Sequence, residues 1–366
     1  MNPNASVLNR DEQAAFELRD LYRSYGYLPY KMSKFEEYDL YVRNKDFLVS
    51  DNVITFTDTN GRLMALKPDV TLSIIKNGRD VEGQVEKVYY NENVYRISKG
   101  THAYKEIMQT GLECIGDIDD YRLAEVVSLA VESLRKISDR SILDLSHMGI
   151  VSAVLEETGL SPEGAKAIFG FLGEKNLHGA MDVCRKEGIG EEKAEAIKIL
   201  ITTYGTPEKV LPVLRTLPAA AKEAVDRLQT VTDALKALGI ADTVRIDFSV
   251  IHDMSYYNGI VFRGFVDGIP TGILSGGEYG RLLKKMGRKA NAIGFAVYLD
   301  LLEELSEDSE YDVDTVLLYD GTDSPALIAE ALRKLSGEGT VTALRELPAK
   351  LKYKTVVSVK EVANRG

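Results

Sequence analysis

Apolar residues in the first quarter of the chain follow helical spacing first and strand spacing later. They recur at steps of three and four through residues 11–26, at Ala14, Leu18, Leu21, Tyr22 and Tyr25. This spacing predicts an amphipathic helix that Gly26 can end. Residues 53–58 and 63–67 are strand-like runs on either side of Asn60-Gly61, the favoured pair for a tight turn, and they predict a β-hairpin.

The middle of the chain changes from strands to a long helical block. Residues 85–96 and 105–115 predict two strands joined by a loop at 97–104, and a helix is expected over about 121–137. Its buried face is predicted to carry Leu123, Val126, Val127, Ala130 and Leu134. After a strand at 142–145, helical periodicity continues over about 150–240, which indicates an inserted helical subdomain.

Strand patterns return in the last third. Residues 244–250 alternate apolar and polar, the period of a half-buried strand. Strands at 260–266 and 269–274 and a helix over about 292–305 are expected to follow, and residues 312–366 read strand, helix, strand, linker, strand. The order predicts an α+β fold with an antiparallel sheet flanked by helices over residues 1–310. A small C-terminal α/β domain is expected over residues 311–366.

Composition narrows the functional class. The formal net charge is −11, so the chain lacks the basic footprint that nucleic-acid binding needs. Cys114 and Cys184 have neither the spacing of a zinc site nor the density of a disulfide framework, and we expect no metal. No apolar run of about 18 residues suggests a membrane span, so a cytoplasmic protein is expected. Neither a P-loop nor a Rossmann glycine motif follows a strand, and no cofactor is predicted.

One predicted strand carries polar residues suited to hold a small ligand. Gln109, Gly111 and Glu113 share a face because side chains alternate along a strand. The two polar residues lie roughly 13 Å apart, so an amino acid could lie over Gly111 and be held at both ends. Glutamate is a natural acceptor for an imidazole N–H. The alternative is a solvated sheet face.

Three further segments allow two interpretations each. Asp69 and Thr71 could contact a ligand or cap the helix that follows them. Tyr256 and Tyr257 could line a site or form a β-pair with one ring in the core. The Gly276-Gly277 pair could let the backbone approach a ligand or could form a turn.

Taken in order, several motifs over residues 8–305 resemble histidyl-tRNA synthetase. They are Phe56-x-Asp58-x-x-Gly61, Leu66-Lys67-Pro68-Asp69-x-Thr71, Tyr95-Arg96, Gln109-x-Gly111-x-Glu113, Tyr256-Tyr257-Asn258-Gly259-Ile260-Val261-Phe262, Gly276-Gly277-x-Tyr279 and Gly294-Phe295-Ala296. The resemblance implies the class II aminoacyl-tRNA synthetase fold, which is normally dimeric. Agreement across so many ordered segments is far more specific than any one motif.

The resemblance also implies roles for single residues. Asp69, Thr71 and Gln109 match positions that hold the α-amino end of histidine. Positions around the imidazole are matched by Glu113, Tyr257 and Tyr279, and Tyr256 belongs to the same candidate set. Arg96 matches the first arginine that binds ATP phosphates, and it is also among the candidate histidine-binding residues.

The departures from the synthetase pattern bear on ATP chemistry. His252 and Leu301 stand where the resemblance places arginines that act on the ATP phosphates, and the loop Ser98-Lys99-Gly100-Thr101-His102-Ala103-Tyr104 replaces an arginine-rich loop. Adenylation requires positive groups aimed at the phosphates, and neither histidine nor leucine replaces a guanidinium. We therefore expect that histidine activation is lost.

A synthetase-like chain of this kind looks like the regulatory subunits of ATP phosphoribosyltransferase. That resemblance implies a hetero-oligomer with the short-form catalytic subunit, in which histidine feeds back on the first step of histidine biosynthesis. The histidine site could be the synthetase-like pocket or the interface between the two chain types. The competing hypotheses are an active histidyl-tRNA synthetase and a pseudo-synthetase that senses tRNA, for which an acidic chain with a short tail is a poor match.

Overall fold

The chain folds into two compact units, Met1–Leu305 and Ser306–Gly366. The structure is a computed structural model, and it describes residues 8–44, 53–78, 83–98, 101–250, 257–305, 311–337 and 339–364. None of the helices in these ranges is long and apolar enough to cross a membrane.

The first unit is built on a nine-stranded sheet. Its strands, in spatial order, are β1 (Leu28–Pro29), β5 (Val85–Ile97), β6 (Tyr104–Gly116), β12 (Asn291–Tyr298), β11 (Leu274–Glu278), β10 (Ile260–Val266), β7 (Ser141–His147), β9 (Val244–Asp247) and β8 (Tyr204–Gly205). Neighbours are antiparallel except for β1 with β5 and β7 with β9. The predicted α+β fold with a largely antiparallel sheet is confirmed.

Two helices, α1 (Arg10–Ser24) and α4 (Asp120–Ile137), contribute to the core with one face of this sheet. All five residues predicted for the apolar face of α4 are buried. The helix begins where the Asp119 side chain accepts a hydrogen bond from the Arg122 N–H, and α1 ends before Gly26, which adopts a positive φ of 80°. These helices leave the other face of β6 free to carry polar residues.

Six helices lie between β7 and β9 in the sequence. They are α5 (Met148–Thr158), α6 (Pro162–Gly173), α7 (Leu177–Lys186), α8 (Glu191–Thr202), α9 (Pro207–Leu214) and α10 (Lys222–Ala237). We call this segment the helical insertion. It also contributes β8, which pairs with β9 at the sheet edge and which the helical periodicity did not predict.

A small three-stranded sheet precedes the candidate site. It comprises β2 (Phe35–Glu37), β4 (Leu63–Leu66) and β3 (Thr55–Thr57) in spatial order. The predicted hairpin is confirmed, with β3 antiparallel to β4 and Gly61 at φ 79° in the turn. Short helices accompany this part of the unit: α2 (Tyr38–Arg43), α3 (Thr71–Asn77) and α11 (Gly280–Lys285).

The second unit has a parallel sheet of three strands in the order β14 (Val341–Leu344), β13 (Val313–Leu318) and β15 (Tyr353–Ser358). Helices α12 (Pro325–Leu335) and α13 (Val359–Ala363) pack on it around Leu317, Ala331 and Val357. The predicted order of strand, helix, strand, linker and strand is confirmed, with α13 added at the end.

Two local predictions were wrong. Residues 292–298 belong to β12 and not to a helix. This apolar run lies between β6 and β11, and its backbone pairs with both of these strands. The strand expected at 269–274 instead begins at Leu274, and Gly276-Gly277 lies inside β11 rather than in a turn. A continuous apolar run does not distinguish a central strand from a helix.

Packing of α4 on the sheet makes a stability prediction. Leu134 is fully buried and its Cδ1 would lie 2.7 Å from a Cβ at Gly264 of β10. Leu134→Ala should lower the free energy of unfolding by about 2–5 kcal/mol, measured by urea denaturation. The control Leu238→Ala removes a leucine that is 57% exposed, and it should change stability by less than about 0.5 kcal/mol. Equal losses would contradict this packing.

Candidate ligand-binding site

The candidate site lies on the face of the sheet opposite α4. Leu112 and Cys114 of β6 point into the core, so Gln109, Gly111 and Glu113 point to the other side. Their neighbours in the ladder are Glu92, Tyr90 and Val88 on β5, and Tyr298, Ala296 and Gly294 on β12. The shared face inferred from the sequence is therefore present.

Glu113 is the most enclosed polar group of this face. The residue is only 2% exposed. The Thr71 hydroxyl donates a hydrogen bond of 2.7 Å to Oε1, and the Tyr279 hydroxyl donates one of 2.5 Å to Oε2. Thr71 begins α3 and Tyr279 precedes α11, so three distant segments of the chain meet at one carboxyl group.

A glycine makes room for this carboxyl group. Gly294 on β12 pairs with Glu113, and a Cβ at Gly294 would lie 1.8 Å from Glu113 Oε2. The Gly294-Phe295-Ala296 motif thus has a local physical reason, since no larger residue fits beside the carboxyl group.

Burial dominates the electrostatics of Glu113. Desolvation is the largest effect and raises its pKa, the Tyr279 and Thr71 hydrogen bonds lower it, and the charge of Asp69 raises it. Together these effects raise the pKa of Glu113 to about 8. The carboxyl group is then largely protonated at neutral pH. It can donate one hydrogen bond to a ligand or accept one from it.

The sequence allows an amino acid to lie over Gly111, but the structure does not leave this residue open. Tyr90, its partner on β5, covers it: the Tyr90 hydroxyl would lie 2.6 Å from a Cβ at Gly111. Burial, followed by the charges of Glu113 and Asp69, raises the pKa of Tyr90 well above its ordinary value. A ligand held between Gln109 and Glu113 would therefore meet a phenol and not only backbone.

Asp69 has the capping role that was one of its two interpretations. Its Oδ1 accepts a hydrogen bond of 2.9 Å from the Leu72 N–H in the first turn of α3. Burial raises the pKa of Asp69, while this bond and the nearby Arg96 charge lower it. Arg96 itself donates from Nε to the Pro68 carbonyl at 3.1 Å, so it ties β5 to the segment that carries Asp69.

The Gln109 end of the face borders a buried ion pair. Gln109 is buried, and Glu92 is its neighbour on β5. Glu92 forms an ion pair with Lys67, whose Nζ lies 2.7 Å from the Glu92 carboxylate. The Lys67 side chain is wholly buried. Removing one partner would leave an uncompensated charge beside Gln109. Lys67 belongs to the Leu66-Lys67-Pro68-Asp69-x-Thr71 motif, but its pairing with Glu92 joins two separate segments and was not predicted from the sequence.

Tyr257 lies against β11. Its Cδ1 would be 2.8 Å from a Cβ at Gly277, so the glycine lets the ring approach the strand. Burial raises the pKa of Tyr257 well above its ordinary value, and the charges of Tyr298, Glu113 and Asp69 add to the shift. Tyr256 and His252 fall outside the described residues, and their roles stay predictions.

Leu301 lies in the 3-10 helix Leu299–Leu305, which follows β12, and packs against the main core. Its side chain offers no charge to a phosphate. In the loop between β5 and β6, the Ser98 N–H donates to the Ala103 carbonyl at 2.9 Å, and the described part of that loop contains no arginine. The site as described can bind a polar ligand, but it lacks the cation set that adenylation requires.

Substitution of Gly294 tests this geometry. In Gly294→Ala the new Cβ displaces Glu113, and its hydrogen bonds with Thr71 and Tyr279 are lost. We expect the free energy of unfolding to fall by at least about 2 kcal/mol, measured by urea denaturation. Gly170→Ala, in α6 with nothing within 4 Å of the new Cβ, should be neutral or slightly stabilising. A tolerated Gly294→Ala would contradict the placement of Glu113.

Comparison with known families gives a consistent result. The histidyl-tRNA synthetase family matches residues 4–302. The ATP phosphoribosyltransferase regulatory subunit of Desulfitobacterium hafniense is 32% identical over 314 residues, which cover 79% of this chain and 76% of that protein. The regulatory subunit of Ruminiclostridium cellulolyticum is 27% identical over 331 residues, 87% of this chain and 79% of that protein.

Solved structures agree on the fold. An ATP phosphoribosyltransferase regulatory subunit/histidyl-tRNA synthetase from Bacillus halodurans matches with a TM-score of 0.75 at 23% identity, over 95% of this chain and 93% of that chain. A chain of the ATP phosphoribosyl transferase (HisG:HisZ) complex from Thermotoga maritima matches with a TM-score of 0.62 at 20% identity, over 79% of this chain and 97% of that chain. The chain therefore belongs to the histidyl-tRNA synthetase-like family of ATP phosphoribosyltransferase regulatory subunits.

Proposed function

We propose that this chain is the non-catalytic regulatory subunit of ATP phosphoribosyltransferase and that its synthetase-like pocket binds histidine as the feedback effector. The observation that carries the proposal is a buried carboxyl group, Glu113, which can accept an imidazole N–H, in a site where two phosphate-binding positions are changed. Catalysis then belongs to the short-form catalytic subunit. The relatives named above, which are regulatory subunits, support this division of labour.

The changed positions argue against adenylation. Transfer of AMP to histidine develops negative charge on the α-phosphate, and fixed cations supply the largest stabilisation of that charge. Leu301 cannot supply it, and His252 lacks the bidentate fork of an arginine. Arg96 remains, but it is engaged with the Pro68 carbonyl beside Asp69.

Histidine matches the polarity of the pocket at both ends. Glu113 can share a proton with the imidazole while Thr71 and Tyr279 hold its two oxygens in place. The Thr71 hydroxyl donates to Glu113 and keeps its lone pairs, so it can also accept from the ammonium group. Asp69 and Gln109 supply the remaining acceptors for the ammonium in this proposal.

Histidine must favour one arrangement of the complex over another, because an effector shifts an equilibrium only through different affinities for two states. The interface between this chain and the catalytic subunit is the other possible effector site. The two are distinguished by substitutions in the pocket, which should abolish inhibition only if histidine binds there.

We also propose that the chain forms a homodimer through the part of the first unit that carries the small sheet. Phe35 and Phe56 form an edge-to-face ring pair with centroids 5.4 Å apart, although they are 50% and 38% exposed. Leu63 on β4 of the same small sheet is exposed as well. Large apolar groups left in water at one region favour a protein partner.

Histidine affinity should depend on pH in a defined way. The pKa of free imidazole is near 6.5 and that of Glu113 is about 8. Between these pH values the imidazole is neutral and Glu113 is protonated, so the two groups together already carry the one proton that they share in the complex. Affinity should be highest there. Above about pH 8, binding must take up a proton, and the affinity should fall by up to about tenfold per pH unit. Calorimetry across this range measures the effect.

Glu113→Gln is the matched variant for this experiment. It keeps the shape and one acceptor oxygen but cannot titrate. Histidine should therefore bind more weakly to this variant than to the unmodified chain. Its affinity should not fall further above pH 8, because no carboxyl group titrates there. Glu113→Ala should desensitise the complex to histidine while its assembly, followed by size-exclusion chromatography, is unchanged. Undiminished inhibition in Glu113→Ala would exclude the pocket as the effector site.

The synthetase alternative has its own test. Purified chain with histidine, ATP and labelled pyrophosphate should show no histidine-dependent exchange of label into ATP, because His252 and Leu301 replace two of the phosphate-binding arginines. Exchange above the histidine-free control would contradict the non-catalytic role. Salt-sensitive binding of tRNA would instead favour a tRNA-sensing module.

A further inference from the structure

We propose that Arg227, on the last helix of the helical insertion, is a positioning residue for the ligand pocket. It acts through Glu278, which holds the segment Tyr257–Ile260, and so couples histidine binding to the position of the insertion. This inference rests on the proposed function, since it takes the pocket as the histidine site. Arg227 does not itself belong to the candidate ligand contacts.

Glu278 fastens the segment after Tyr257 at two points. Its Oε2 accepts a hydrogen bond of 2.9 Å from the Ile260 N–H, and its backbone carbonyl accepts one of 3.1 Å from the Asn258 N–H. Gly259 lies between them, and a Cβ there would be 1.9 Å from Glu278 Oε2. The segment therefore rests directly on the carboxylate, which is why its middle residue must be a glycine.

We call Glu278, together with the segment 258–260 that it holds, the clamp. It lies between two pocket tyrosines. Tyr279 follows Glu278 in the chain and donates to Glu113. Tyr257 precedes Asn258 and packs on Gly277 of the same strand. Tyr279 is bonded directly to Glu278, and Tyr257 is bonded directly to Asn258, which Glu278 holds. A displacement of Glu278 would therefore move both tyrosines.

Arg227 neutralises the clamp. Its Nη1 lies 3.2 Å from Glu278 Oε1, and its Nε lies 3.2 Å from Asp120 Oδ1 at the start of α4. Glu278 is 6% exposed, so the carboxylate depends on a nearby cation. Loss of Arg227 leaves a buried carboxylate without its cation, which is costly to keep in place.

Both ends of the helical insertion touch this clamp. Arg227 lies on α10, the last helix, while the Met148 N–H that starts α5, the first helix, donates to the Gly259 carbonyl at 2.8 Å. A shift of the insertion would therefore pull on the segment from two sides. Conversely, a ligand that fixes Tyr257 and Tyr279 would favour one position of the insertion, as linkage requires.

The main alternative is that the pair only stabilises the fold. Arg227→Gln should weaken histidine binding roughly tenfold by calorimetry, because the clamp no longer holds both tyrosines in the binding arrangement. Arg227→Lys should recover part of the affinity by restoring the charge. The matched control is Arg215→Gln, which removes a 3.1 Å ion pair with Asp226 on the same helix but does not touch the clamp. Its histidine affinity should equal that of the unmodified chain.

Glu278→Gln separates charge from hydrogen bonding, since its amide oxygen can still accept from Ile260. Adding Arg227→Gln to Glu278→Gln should weaken binding no further, because the two residues act as one unit. Hydrogen exchange gives an independent readout. Histidine should slow exchange of α10 amides in the unmodified chain and fail to do so in Arg227→Gln at saturating histidine.

The outcomes distinguish this inference from the function on which it rests. If the unmodified chain binds histidine and Glu113→Ala does not, unchanged affinity in Arg227→Gln overturns the coupling, even when the melting temperature falls. The coupling is also overturned if the losses of histidine affinity in Arg227→Gln and Glu278→Gln add up in the double variant. If the unmodified chain binds no histidine, the proposed effector site is overturned together with the inference.

Discussion

The burial of the Glu113 carboxyl group is the constraint around which the pocket is organised. A carboxyl group in an apolar environment must find donors or keep its proton, and here both conditions act together. The donors come from the starts of α3 and α11, and the space comes from Gly294. The hairpin β5–β6, the β11–β12 pair and the small helices therefore have to meet at one point, which fixes the local architecture more tightly than apolar packing alone would.

Such a site suits binding better than catalysis. Its polar groups largely satisfy one another, as Thr71 and Tyr279 do with Glu113 and as Lys67 does with Glu92. A synthetase needs fixed positive charge over the phosphates as well, and Leu301 contributes only apolar packing. If the pocket binds histidine as proposed, an amino-acid end without the full phosphate end is the arrangement expected of a sensor, whose output is a change in the stability of one state.

Much of this could be predicted from the sequence, and the failures have physical reasons. The shared face of Gln109 and Glu113 follows from the period of two along a strand. The Tyr90 ring over Gly111 was not predicted, because it depends on the pairing of β5 with β6. The strand at 292–298 was missed because an apolar run buried on both sides has no periodicity to read. The Arg227–Glu278 pair could not be predicted, since it joins residues brought together only by the tertiary fold.

A regulatory subunit of the proposed kind acts on a partner enzyme and transmits the binding of histidine to it. This is tested by phosphoribosyl-ATP formation by the short-form catalytic subunit of the same organism, with and without this chain, each in the presence and absence of histidine. We expect activity that requires the chain and falls when histidine is added. A catalytic subunit whose rate and histidine response are the same without the chain would contradict this expectation.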